Sequence, residues 1–165
     1  MGQEEFRPDM DTYKRLNLNL FPIPDGKYYV HSTINDRYVW DMNPNDCNLH
    51  LWEKHGGANQ QFIFKSDDVA RYTIYCAQNG KAIDCAGGDQ SSGANVWLYS
   101  PNKTPAQQWY LRGREAGYFS AYSGINPSKN KRCIDLTHSN AQNGTNICCF
   151  QDNGTNAQIW YVEPC

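Results

Sequence analysis

Gln60-Gln61-Phe62, Gln107-Gln108-Trp109 and Gln158-Ile159-Trp160 each set a glutamine two residues before a large aromatic. Eight residues upstream of each glutamine stands another aromatic, Trp52, Tyr99 or Phe150. Each of these follows an aspartate, Asp41, Asp84 or Asp135, placed directly after an apolar residue in Tyr38-Val39-Trp40-Asp41, Ala82-Ile83-Asp84 and Cys133-Ile134-Asp135. The glutamines recur at intervals of 47 and 51 residues. Repetition at that length marks copies of one supersecondary unit that cannot bury its apolar face alone. The step from aspartate to aromatic is 15 residues in the second and third copies and 11 in the first, so the first copy has a shortened loop.

Period-two alternation and β-branched or aromatic enrichment predict strands at 27–32, 36–41, 48–53, 60–65, 71–76, 81–85, 95–99, 107–111, 117–122, 132–136, 146–150 and 158–162. The intervals are filled with turn formers, as in Asn43-Pro44-Asn45-Asp46 and Asp152-Asn153-Gly154, and no window carries a helical stripe. The chain is therefore expected to be all-β, with twelve strands in three pseudo-symmetric fours that remove their edges by closing into a barrel. Alternation along Leu49-His50-Leu51-Trp52 puts the leucines on one face and His50 and Trp52 on the other. The same parity turns Val96, Leu98, Ile147 and Cys149 inward and Trp97, Tyr99, Cys148 and Phe150 outward. Aromatics exposed at equivalent places need a reason, because a core does not use them.

The 165 residues suit a single domain able to bury roughly two-thirds of its unfolded surface. A net charge of −2 without a basic block argues against nucleic acid, and no apolar run approaches the ~20 residues that cross a bilayer. Met1-Gly2-Gln3-Glu4-Glu5-Phe6 lacks the layout of a signal peptide and the Ser or Thr that myristoylation wants. Residues 1–25 stand outside the repeat as an extension or linker, leaving 26–165 as the repeated domain, in copies of about 26–68, 69–114 and 115–163.

Seven cysteines without Cys-x-x-Cys spacing favour a secreted or extracellular setting with disulfides over a zinc site. Cys76 and Cys85 flank an Asn-Gly turn and are expected to face each other across a hairpin, and Cys133 is expected to pair with Cys148 or Cys149. The odd count leaves at least one thiol free. Asn102, Asn143 and Asn153 begin glycosylation acceptor triplets. His31, His50, His55 and His138 show no metal-ligand spacing, so neither metal nor cofactor is implied.

Three Gln-x-aromatic endings, each trailing an aspartate and an aromatic at matched offsets over residues 26–163, resemble the ricin B-chain-like β-trefoil lectins. The resemblance implies a β-trefoil in which each copy forms a shallow pocket, its aspartate accepting hydrogen bonds from sugar hydroxyls and its aromatic stacking on the sugar's apolar face. Carried over, the first copy holds the full set: Asp41 as acceptor, Trp52 as platform, Asn59 as polar clamp, Gln60 as support, and His50 where the family often has glutamine. This is the pocket the resemblance ranks first. The second keeps Asp84, Tyr99 and Gln107, with Trp97 in the His50 position and Ala106 in place of the asparagine. The third keeps Asp135, Phe150 and Gln158, with Ala157 in that place, Asn156 one residue earlier and Cys148 on the strand, and ranks last. The family's usual disulfide is half present, with Cys133 at its first position and Asp152 at its second, so the bridges are expected to be arranged differently. Phe62, Trp109 and Trp160 are assigned to the core.

The expected function is a carbohydrate-binding lectin or targeting module for galactose-type glycans, galactose or N-acetylgalactosamine first, acting alone or fused to a larger toxin or enzyme. Catalysis is not expected: glycoside hydrolysis needs two carboxylates across one bond, whereas these three aspartates are separated by repetition. The competing expectation is a trefoil interaction module, inhibitor-like or cytokine-like, with vestigial sugar sites.

Overall fold

The computed structural model describes residues 22–129 and 131–165, and residues 1–21 of the extension lie outside the described part. Twelve strands follow in sequence: β1 (Gly26–Ser32), β2 (Tyr38–Met42), β3 (Leu49–Glu53), β4 (Phe62–Ser66), β5 (Tyr72–Cys76), β6 (Ala82–Cys85), β7 (Ala94–Tyr99), β8 (Trp109–Gly113), β9 (Tyr118–Ser123), β10 (Arg132–Leu136), β11 (Ile147–Gln151) and β12 (Trp160–Pro164). Antiparallel pairing runs β1 to β4, β5, β8, β9, β12 and back to β1, closing six strands into a barrel without an edge. The other six form one hairpin per copy, β2–β3, β6–β7 and β10–β11.

The three hairpins meet through β7–β11 pairing and two isolated bridges, Asn48 with Trp97 and His50 with Asn146. Where they meet, three half-buried asparagines close a ring. Asn48 Nδ2 donates to Asn146 Oδ1 (2.8 Å), Asn146 Nδ2 to Asn95 Oδ1 (3.0 Å), and Asn95 Nδ2 to Asn48 Oδ1 (2.8 Å). Each copy thus satisfies one amide donor of the next, and the cycle holds the hairpins in register.

The core lies between barrel and hairpins. Trp40, Phe62, Phe64, Phe119, Trp109 and Trp160 are wholly buried, each worth roughly 1.5–3 kcal/mol of transfer free energy. Copy one exchanges sizes with its siblings. Trp40 occupies the place of Ile83 and Ile134, directly before the aspartate, while Phe62 takes the place of Trp109 and Trp160. Trp109 and Trp160 donate their indole N–H to the Ile83 and Ile134 carbonyls at 3.2 and 3.0 Å. Trp40 Nε1 is buried without an acceptor.

Two expectations are corrected. The glutamines do not begin strands. Gln60, Gln107 and Gln158 end one-turn 3₁₀ helices, Ala58–Gln60, Pro105–Gln107 and Asn156–Gln158, and the strands start at the aromatics two residues on. The tight turn aims each glutamine side chain back across its own loop, which an extended backbone would not do. Nor do the cysteines bridge: all seven are free thiols. Tyr75 lies opposite Ala82, so Cys85 sits beyond the end of the short β5–β6 ladder from Cys76. Cys133 lies opposite Phe150 and its thiol is 3.6 Å from Asp152 Oδ1, the position where the family carries a second cysteine. The adjacent residues 22–25 also belong to the domain: Ile23 is 1% exposed, Tyr72 Oη donates to its carbonyl at 2.7 Å, and Asp25 Oδ1 accepts from the Ser66 amide and hydroxyl.

Candidate functional site

Each hairpin and the loop that follows it build one surface depression with the same back wall. Gln60, Gln107 and Gln158, at most 1% exposed, donate from Nε2 to Oδ2 of Asp41, Asp84 and Asp135, at 2.9 Å in all three copies. The second Nε2 proton goes to the carbonyl of Glu53, Ser100 or Gln151 at 2.8–2.9 Å. Oε1 accepts the amide of His55, Asn102 or Asn153 at 2.8–3.0 Å. Both amide protons and the carbonyl of each glutamine are therefore used, as burial requires. The result is a carboxylate, 4–5% exposed, fixed at the floor of a depression.

The aromatics stand at the mouths. Trp52, Tyr99 and Phe150 are 39, 48 and 39% exposed, against complete burial of Leu49, Leu51, Val96 and Ile147 beside them, as the strand parity requires. Cys148 departs from that parity. It points outward yet is 6% exposed, because Thr137 covers it and donates from Oγ1 to its sulfur at 3.6 Å. Burial pushes its thiol above the usual range.

The front walls differ between copies. In the first, a depression of about 310 Å³ is lined by Asp41, His50, Trp52, His55 and Asn59 among others. His50 Nε2 donates to Asp41 Oδ1 at 2.7 Å, and its ring lies 5.4 Å from Trp52, tilted by 31°. His55 Nδ1 accepts the Gly57 amide at 3.0 Å, which leaves the proton on Nε2, and that atom lies 3.6 Å from Asp41 Oδ2, outside hydrogen-bond range. Asn59 Nδ2 is spent on the Met42 carbonyl at 3.1 Å. In the second, about 520 Å³ is bounded by Asp84, Trp97, Tyr99, Gly87, Gly88 and Ile125 among others. Trp97 Nε1 donates to Asp84 Oδ1 at 3.0 Å, and the rings of Trp97 and Tyr99 stack at 5.3 Å and 12°. In the third, about 470 Å³ is lined by Asp135, Phe150, Cys148, Thr137, His138 and Ser139 among others. Asp135 Oδ1 receives no donor from the described residues. Burial raises this carboxyl above the ordinary Asp range, opposed by the Gln158 bond and by the charge of His138.

The structure thus gathers Asp41, His50, Trp52 and Asn59 around one depression, Asp84, Trp97 and Tyr99 around a second, and Asp135 and Phe150 around a third, with the glutamines behind. Asn156 stands apart: it is exposed, does not line the third depression, and its carbonyl accepts the Thr33 hydroxyl at 2.9 Å. The residues missed from sequence are His55 and the pairs three and four positions after each aspartate, Pro44-Asn45, Gly87-Gly88 and His138-Ser139. Their constant offset was the available signal. Among the described residues, no three His, Cys, Asp or Glu side chains group as a metal site.

A closed barrel of six strands, three capping hairpins and three carboxylate-aromatic depressions define a three-fold all-β binding scaffold. The sequence signature of the ricin-type beta-trefoil lectin domain-like family matches residues 19–99 and 58–150, and the chain belongs to that family. The designed three-fold symmetric protein ThreeFoil has the same fold, with a TM-score of 0.78 at 23% identity over 86% of this chain and 100% of that one. The ricin B-like lectin of Macrolepiota procera, solved in complex with lactose, follows at 0.74 and 19%, covering 87% of this chain and 99% of its own. A mosquitocidal holotoxin matches at 0.77 and 18% over 87% of this chain but only 18% of its own length. No curated protein matches the chain in sequence.

Proposed function

We propose that the chain is a lectin or targeting module that binds galactose-type glycans without transforming them. The observation that carries this reading is the threefold recurrence of a nearly buried carboxylate, locked by a glutamine, beneath an exposed aromatic ring. A pyranose presents a patch of C–H bonds and a rim of hydroxyls. The ring supplies contact area to the former, and a fixed carboxylate accepts two hydroxyl donors through charge-assisted bonds. Among the described residues, no second carboxylate lines the depression of Asp41, Asp84 or Asp135, which supports binding over hydrolysis.

Depressions this open leave much of the ligand wet, so one pocket should hold a monosaccharide at ~0.1 to several mM. Three pockets on a crowded glycan gain roughly 10²–10⁴ by avidity. The partners are glycoconjugates ending in galactose or N-acetylgalactosamine, in an extracellular setting, reached by the chain alone or as part of a toxin or enzyme. A glycan array tests the reading. Retention of galactosylated glycans, lost in the combined Asp41→Ala, Asp84→Ala and Asp135→Ala variant, is the expected result; no glycan bound at high protein density refutes it.

A further inference from the structure

We propose that the third copy is the principal sugar pocket and that His138 and Ser139 are its specificity-determining contacts, a reading that rests on the carbohydrate function proposed above. It reverses the order expected from motif completeness. A carboxylate has about four lone-pair sites. In the first copy His50 and Gln60 use two of them, and the imidazole of His55 stands nearby, 3.6 Å from Oδ2. In the second Trp97 and Gln107 use two. In the third Gln158 alone uses one, because Cys148 stands where the siblings carry a ring N–H and its sulfur is engaged by Thr137. Asp135 is 5% exposed and its Oδ1 opens on the depression without a protein donor. That oxygen faces the open depression with lone pairs that no protein group uses, so it can accept a hydroxyl donor from a ligand that displaces water.

An independent observation comes from the backbone. The residues three and four after the aspartate in the second copy, Gly87 and Gly88, take φ of 68° and 65°, where glycine meets no steric penalty. In the third copy the same two positions take φ of 55° and 53° but are filled by His138 and Ser139. Two successive side chains in the left-handed region are disfavoured, and such strain gathers where a side chain is needed for function. Both line the depression. The pocket they complete suits a terminal hexopyranoside that places a vicinal hydroxyl pair on Asp135, its apolar face on Phe150, and a further hydroxyl or acetamido group toward the imidazole and hydroxyl. The second pocket, which like the third is also lined by an asparagine and a threonine, has Gly87 and Gly88 at these two positions and so lacks both side chains there.

Amide chemical-shift titration with methyl β-galactoside and N-acetylgalactosamine, glucose serving as the epimer control, tests the order pocket by pocket. The expected result is that signals of His138 and Phe150 saturate at lower sugar concentration than those of Tyr99 or Trp52. The combined variant His138→Gly, Ser139→Gly, which copies the second loop, is expected to keep or raise the thermal midpoint while weakening the third pocket by about ten-fold. Cys148→His should weaken it as well by supplying the missing donor to Asp135. Saturation of the Trp52 signals first overturns the order. Unchanged binding by the glycine variant, or binding lost together with thermal stability, overturns the assignment of His138 and Ser139. If no signal moves in any pocket, the carbohydrate reading itself fails.

Discussion

Gln158→Glu should make the stability of this domain depend steeply on pH. The substitution keeps the shape of a side chain that donates to Asp135 Oδ2 at 2.9 Å and to the Gln151 carbonyl at 2.8 Å, and it turns that donor into an oxygen. Two carboxylates at this separation do not both ionise, so the introduced carboxyl must hold a proton in the folded state. Keeping an ordinary glutamate, of pKa about 4.3, protonated costs about 3.7 kcal/mol at pH 7 but only about 0.6 kcal/mol at pH 4.5. The protonated acid has one donor instead of two and leaves a partner unsatisfied, a further ~1–3 kcal/mol at either pH. The folded pKa is raised, so the folded state binds more protons than the unfolded one and stability rises as pH falls. The penalty is smallest below about pH 4 and grows as pH climbs. Urea denaturation followed by fluorescence of the buried Trp109 and Trp160 should show the loss relative to the parent chain shrinking by about 3 kcal/mol between pH 7 and 4.5. Burial also raises Asp135 in the parent, so the parent is measured at each pH and subtracted. A loss of equal size at both pH values would refute the picture of the glutamine as an obligatory donor to the site carboxylate.

Asn95→Ala breaks two of the three bonds of the asparagine ring and should cost ~1–3 kcal/mol; adding Asn48→Ala should cost clearly less than it does alone, and strict additivity in urea denaturation would count against the ring. Trp40→Ile should cost about 3–5 kcal/mol and Phe62→Trp about 1–3 kcal/mol, but the pair restores the arrangement of the other copies and gives the buried indole a carbonyl. The double variant should therefore fall short of the sum by at least ~1 kcal/mol. Glu163 is held below the usual carboxylate range by the His31 bond at 2.7 Å and then by Lys54, a contribution present above the unfolded pKa and lost as pH falls. Because the pair is part-exposed, Glu163→Gln should cost under ~1 kcal/mol at pH 7 and nothing near pH 3, measured by the same denaturation series.

The scaffold was readable because its determinants are periodic. Alternation along β3 and β7 fixed which side chains face the core, and the spacing of glutamine to aromatic fixed the copy number. What escaped is aperiodic or cooperative. The left-handed His138 and Ser139 run against propensity, so nothing local announces them. The burial of outward-facing Cys148 depends on Thr137 from the neighbouring loop. Asn48, Asn95 and Asn146 lie at one constant offset, four residues before the exposed aromatic, but loops rich in asparagine mask the signal. Cysteine pairing was misjudged because a turn signal between Cys76 and Cys85 says nothing of register, and the β5–β6 ladder is too short to bring them opposite.

The same division explains how one fold can carry three unequal pockets. The back wall cannot vary: each glutamine joins carboxylate, loop amide and strand-end carbonyl in a place shut off from water, and losing any one partner strands the others. The front wall is built from loop residues and from the single strand position that holds His50, Trp97 or Cys148, none of which the barrel needs. Substitution there changes how many acceptor sites the carboxylate has left without disturbing the clamp behind it. If the proposed order of the pockets holds, motif completeness is a poor guide to pocket strength. His50 completes the first copy by donating to Asp41 Oδ1, whereas the cysteine that makes the third copy look degenerate leaves Oδ1 of Asp135 without a donor from the described residues.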